Sequence, residues 1–177
     1  TSWWVWHKGL SNEQQSFIFL NSTSAAGANT SAWDNQAPTN EVFYQREYIL
    51  NNTNTGIAYC FHSVDGFSKV GSYVGNGSAD GTFVYTGFRP SFILAKSLAS
   101  GTSWFIKDSA RSPNNVVNLR LYANASNAEM TQVTFHEVDF LSNGFKLRGN
   151  GSEDNGNGNT HIYLAFAEAP FKYANAR

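Results

Sequence analysis

In the segment His136-Glu137-Val138-Asp139-Phe140, two carboxylates stand at alternate positions. On a strand both would point to one face about 7 Å apart, within the range of carboxylate pairs that flank a glycosidic bond. A solvated strand face accounts for the same two residues. The four histidines, His7, His62, His136 and His161, never fall at i,i+2 or i,i+4 to one another, and no Ser or Cys near them forms a nucleophile motif. Cys60 and His62 would share a strand face, but thiolate chemistry needs an orienting third group that this segment lacks, so a buried structural cysteine is the simpler reading. Residues 149–159 (GNGSEDNGNGN) gather Glu153 and Asp154 among asparagines. Counted from Asp154 as an EF-hand, the ligand positions fall on Gly156, Gly158 and Ala165, which offer no side-chain oxygen. No metal or cofactor is expected, and the alternative is a long hairpin loop. The cluster Trp3-Trp4-Val5-Trp6 would place Trp4 and Trp6 on one strand face and Trp3 on the other. One face can then pack in a core or against a partner while the other stacks on a sugar ring. Candidate binding residues are therefore Trp4, Trp6, Glu153 and Asp154, and no catalytic residue is assigned.

The elements that would position these groups read as strands. Alternation is clean in residues 116–122 (VVNLRLY), with Val117, Leu119 and Leu121 opposed to Asn118, Arg120 and Tyr122, and in 144–148 (GFKLR), with Phe145 and Leu147 opposed to Lys146 and Arg148. Continuous apolar runs at 16–20, 56–61, 91–98 and 162–167 are too short for typical helices and are bounded by turn formers, which suits strands buried on both faces. No stretch combines helical apolar spacing with a capping signature. The expectation is an all-β protein, an antiparallel β-sandwich of jelly-roll or concanavalin-like type.

Composition narrows the function classes. The 177 residues are 41% hydrophobic, 15% aromatic and only 14% charged, which excludes a disordered or coiled-coil chain. A net charge of −1 with scattered basic residues gives no footprint for nucleic acid, and no apolar run is long enough to span a bilayer as a helix. The single Cys60 excludes an intrachain disulfide. Six N-x-S/T sequons begin at Asn21, Asn29, Asn51, Asn76, Asn124 and Asn150, as expected of a chain so rich in Asn, Ser and Thr.

An internal repeat organises the chain. Thr1-Ser2-Trp3-Trp4 aligns with Thr102-Ser103-Trp104-Phe105, the segment from Phe17 resembles that from Val117, and Ile57, Phe61 and Phe67 fall on Ile162, Phe166 and Phe171. Two modules are expected, 1–76 and 77–177. The later TSW segment is preceded by a strand-like GFRPSFILAKSLASG (87–101), whereas nothing precedes the earlier one. The first module thus lacks its opening strand, which implies an N-terminal continuation or a neighbouring subunit that supplies it.

Two resemblances bear on function. The Glu137/Asp139 segment is similar to the E-x-D-x-x-E signature of concanavalin-like β-glucanases, but Ser142 replaces the third acid, and Phe43 stands where the first module would carry Asp139. Residues 66–97, 139–148 and 165–177, the last reading AFAEAPFKYANAR, resemble an uncharacterised repeat domain of large structural proteins of tailed bacteriophages, especially marine ones. That resemblance implies a virion-associated tail fibre, tail-tip or capsid fibre protein. Its distal module would engage a host-surface glycan or protein, without catalysis, as a homo-oligomer such as a trimer beside other virion subunits. A purely structural assembly module and, less in keeping with the residues, a glycan-cleaving depolymerase using Glu137 and Asp139 are the alternatives.

Overall fold

The structure, a computed structural model, describes residues 2–46, 48–50, 55–131 and 134–169. Asn51, Phe171 and the terminal FKYANAR, on which parts of the sequence reading rest, lie outside the described residues. The described residues form eleven strands and one single-turn helix, and every strand pair is antiparallel. The protein is all-β.

The main body is a sandwich. One layer is five-stranded, in the order β4 (Ser68–Val74), β11 (Thr160–Ala167), β6 (Pro90–Ser97), β7 (Phe105–Asp108) and β8 (Leu121–Tyr122). The other is three-stranded, in the order β5 (Phe83–Tyr85), β10 (Gly144–Leu147) and β9 (Val138–Leu141). Strand periodicity explains the core. Val84, Val138, Phe140, Phe145 and Leu147 alternate inward from the small sheet and meet Tyr73, Ile93, Ala95, Phe105, Tyr163 and Ala165 from the large one. Gly71 leaves room for the Tyr163 ring opposite it, because a Cβ there would come within 2.7 Å of the Tyr163 hydroxyl. The expected alternation in 144–148 holds, with Phe145 and Leu147 buried and Arg148 exposed.

The N-terminal part covers the other side of the five-stranded sheet. A small sheet of β1 (Trp4–Val5), β2 (Ser16–Phe19) and β3 (Gly27–Ala28) sets Ile18 against Ile162 and Trp104, with Val5, Leu20, Leu94 and Leu98 around them. The Trp104 Nε1–H donates to the Phe19 carbonyl at 2.8 Å across this joint. A second cluster, Phe17, Ala32 and Trp33 with Trp4, Trp6, Phe19 and Ile49, lies within residues 4–49. β4 pairs with β11 along its whole length, so residues 68–74, on the N-terminal side of the expected division after 76, belong to the five-stranded sheet.

Three expectations are corrected. Residues 56–61 are not a buried strand: they adopt no strand, and Ile57 (82%), Tyr59 (68%) and Phe61 (56%) are exposed. The clean alternation in 116–122 does not hold: only Leu121–Tyr122 are strand, Leu119 and Leu121 are half-buried, and Arg120 is fully buried. The 149–159 segment is not a simple solvent loop, because it folds into α1 (Ser152–Asn155), with Asp154 and Asn155 buried. No helix among the described residues is long and apolar enough to cross a membrane.

Candidate functional site

α1 plugs one end of the sandwich against β6 and brings its acids inside. Asn155 locks it in place: its Oδ1 accepts the Asn76 N–H at 3.0 Å, and its Nδ2 donates to the Asn76 Oδ1, the Ser78 carbonyl and the Gly149 carbonyl. The loop is Gly-rich because the turn packs closely on its neighbours. With Asn155 fixed, Asp154 points inward. Arg120 Nη1 donates to Asp154 Oδ1 at 3.0 Å, and Nη2 donates to Glu153 Oε2. Glu153 also accepts from Tyr122 Oη at 3.3 Å and from the Ser103 N–H at 3.2 Å. The guanidinium lies over the rings of Phe105 and Tyr122, 5.2 and 4.6 Å from their centroids. A fully buried arginine is tolerated only with such pairing, because the desolvation cost is several kcal/mol.

His136 completes the cluster. Its Nδ1 lies 3.0 Å from Asp154 Oδ1 but off hydrogen-bond geometry, and Asp154 Oδ2 is likewise buried without a hydrogen-bond partner. Ligand atoms of His136, Glu153 and Asp154 fall within 4.8 Å of one another, so these three could hold a metal ion. The Arg120 guanidinium already engages both carboxylates and supplies positive charge there. Of the sequence candidates, Glu153 and Asp154 thus come together, but facing inward.

Other ionisable groups in the interior serve packing. Burial brings the Lys107 ammonium down to about 8 against the opposing pull of Asp154; its Nζ donates to the Val117 carbonyl at 3.2 Å. Lys96, beneath the N-terminal sheet, is likewise lowered to about 8 by burial and donates to the Thr102 carbonyl at 2.5 Å. Burial pushes His7 down to about 4, with its Nδ1 accepting the Gly9 N–H at 2.9 Å. His161 is lowered and Tyr73 raised, both chiefly by burial, and their rings stack at 4.8 Å.

The remaining candidates are dispersed. Asp139 lies on the outward face of β9 and is held by Arg148, Nε to Oδ2 at 2.5 Å, while Glu137 sits just ahead of that strand. Cys60, read from the sequence as buried, is instead exposed, because its segment joins no sheet; His62 is exposed too, and its Nδ1 meets the neighbouring Ser63 carbonyl. Trp4 and Trp6 are half-buried in the Phe17 cluster, and Trp3 is 55% exposed. The sequence reading missed two aromatics on the outer face of the three-stranded sheet, Phe83 and Tyr85, 43% and 62% exposed. They alternate with the buried Val84, and this period-two pattern in 83–85 was the available signal. The cross-strand register sets Phe83 beside Lys146, and Lys146 beside Asp139. Lys146 reaches Asp80 at 2.8 Å.

Fold and site together define an antiparallel all-β sandwich, closed at one end by an ion-paired turn, with aromatic and charged side chains side by side on an outer sheet face. The chain belongs to the family described as a domain of unknown function, DUF7483, which matches residues 1–170. No curated protein and no solved structure matches it.

Proposed function

We propose that this chain is a non-enzymatic module of a virion-associated fibre or tail protein and that it attaches to a host-surface glycan through the outer face of the β5–β10–β9 sheet. The observation that carries this reading is on that face: Phe83 and Tyr85 are exposed, Lys146 stands beside Phe83, and Arg148 is exposed beyond it over the largely buried Asp139. Aromatic rings stack on the apolar faces of sugars, and flanking charged groups hydrogen-bond hydroxyls. An open sheet face gives weak single contacts, so the reading includes a homo-oligomer, such as a trimer, that gains by avidity. That Arg148 holds Asp139 and Arg120 holds Glu153 and Asp154 supports a module without acid–base chemistry. The test is binding of the multimerised protein to a panel of bacterial surface polysaccharides. Binding is expected, and the double variant Phe83→Ala, Tyr85→Ala should weaken it by about tenfold or more. Absence of binding across the panel, or binding indifferent to both rings, removes the attachment reading.

A second reading, a module for assembly within the particle, is favoured by a separate observation: residues 56–61 are largely apolar and exposed.

A further inference from the structure

The two ends of the described chain share their local geometry in detail. β1 pairs with β2 as Trp4↔Phe19 and Val5↔Ile18; β7 pairs with β8 as Phe105↔Tyr122 and Ile106↔Leu121. The Trp3 N–H donates to Asn21 Oδ1 at 3.0 Å, and the Trp104 N–H donates to Asn124 Oδ1 at 2.7 Å. The Leu20 N–H reaches the Trp3 carbonyl at 2.9 Å, and the Ala123 N–H reaches the Trp104 carbonyl at 3.0 Å. Phe17 pairs with Gly27 as Arg120 pairs with Met130, so Phe17 corresponds to Arg120 and not to Val117, the residue on which the sequence alignment set it.

The correspondence continues beyond the strands. The N–H groups of Ile49 and Leu50 both donate to the Arg46 carbonyl; those of Asp154 and Asn155 both donate to the Gly151 carbonyl. Eleven residues after each of these carbonyls come Ile57 and Ile162. The counterpart of residues 56–61 is therefore the first part of β11, the strand flanked by β4 on one side and β6 on the other.

The two copies differ in what surrounds these elements. Ile162 and Trp104 are 0% and 4% exposed, whereas Ile57 and Trp3 are 82% and 55% exposed. β7 has β6 on its free side, whereas β1 is an edge strand. Residues 56–61 make no backbone hydrogen bond to any described residue.

We propose that residues 3–61 are an incomplete copy of the sandwich and that they take up one further β-strand with the pattern of β6, antiparallel to β1 on one side and to residues 56–61 on the other. In the complete copy β6 leads into β7 through residues 98–104, so the added strand is joined to the N-terminal side of Trp3 in the same polypeptide. It is apolar and uncharged at its centre, as Phe92-Ile93-Leu94-Ala95 are in β6. The unpaired backbone groups of residues 56–61 and the exposed Ile57 and Tyr59 side chains then find the partners that their counterparts have, while the Phe61 ring keeps its contact with Phe166.

The experiment fuses a second copy of residues 87–101 directly ahead of Thr1, recreating the connection that precedes Thr102. The reporter is Cys60, exposed here, whose counterpart Ala165 is fully buried. Native-state maleimide labelling of Cys60 should slow by about tenfold or more, with amide-exchange protection appearing at 57–61. A control fusion with Pro at the centre of the added strand should label at the rate of the unfused chain. Equal labelling of the fused and unfused chains, with β11 protection intact, overturns the proposal, as does protection of Cys60 in the unfused monomer. Should the fusion lose β11 protection, the 87–101 peptide added in trans gives the same readout: saturable slowing of Cys60 labelling supports the strand, and no slowing overturns it.

Discussion

Replacing Arg120 by Phe, alone and together with Glu153→Tyr and Asp154→Ile, separates a fastening from a replaceable filling. The single variant removes the guanidinium from Asp154, whose side chain is 1% exposed, and from Glu153. Loss of one partner from a buried ion pair costs about 3–5 kcal/mol, because the surviving charge keeps its desolvation penalty. For a chain of this length, at roughly 2–4 °C per kcal/mol, that lowers Tm by about 10 °C. The triple variant installs the residues found at the corresponding positions of the N-terminal copy, Phe17, Tyr48 and Ile49. There Phe17 packs on Trp4 and Phe19, with centroids 4.5 and 5.3 Å apart, and Tyr48 lies 5.3 Å from Trp4. Full apolar replacement of a buried ionic cluster is often neutral or stabilising by about 1–4 kcal/mol, so the triple variant should recover the wild-type Tm or exceed it. Urea and thermal unfolding, followed by circular dichroism and tryptophan fluorescence with unchanged m-values, measure both. A triple variant as unstable as Arg120→Phe would falsify the equivalence of the two clusters.

Two further outcomes follow from buried bases. His7 is held near 4 when folded against 6.5 when free, so the unfolded chain binds the extra proton between those values. Stability is then complete above pH 6.5 and falls by roughly 3 kcal/mol as pH drops through 4; a flat acid limb between pH 6.5 and 4 in chemical denaturation would contradict the buried, neutral imidazole. Lys107, at about 8 when folded against 10.5 when free, works the same way at higher pH: its contribution rises with pH from 8 to 10.5. Lys107→Met should therefore raise Tm at pH 7 and diminish the alkaline rise, and an unchanged Tm would show that the Val117 carbonyl and Asp154 already offset the burial cost.

Much of the main sandwich is legible in the sequence because it rests on local patterns. The runs at 91–98 and 162–167 and the alternation at 144–148 became β6, β11 and β10, the last with Phe145 and Leu147 inward as read. The site is less legible, because its determinants are distant. Arg120 stands with Asn118 and Tyr122 on the polar side of the read alternation, and only the carboxylates 33 and 34 residues later make its burial tolerable. α1 hides in a Gly/Asn-rich stretch whose anchor, Asn155, finds its partners at Asn76 and Ser78. Residues 56–61 show the opposite failure: the apolar run has a strand's composition, yet no described strand pairs its backbone. Pattern reports what a segment can pair with, not whether the partner is present.

The joint between the N-terminal sheet and the five-stranded sheet has a polarity. One side offers the underside of β2, with Ile18 and the Phe19 carbonyl; the other offers the outer face of β11 and β6 and the Trp104 indole. Two unlike surfaces that fit each other do not close into a pair; they leave an upper and a lower face free for the next unit. A molecule built on such joints lengthens along one axis by whole units, and its stiffness and stability accumulate from neighbour to neighbour. Substitutions at Ile18 or Trp104 would accordingly loosen the N-terminal sheet from the five-stranded one.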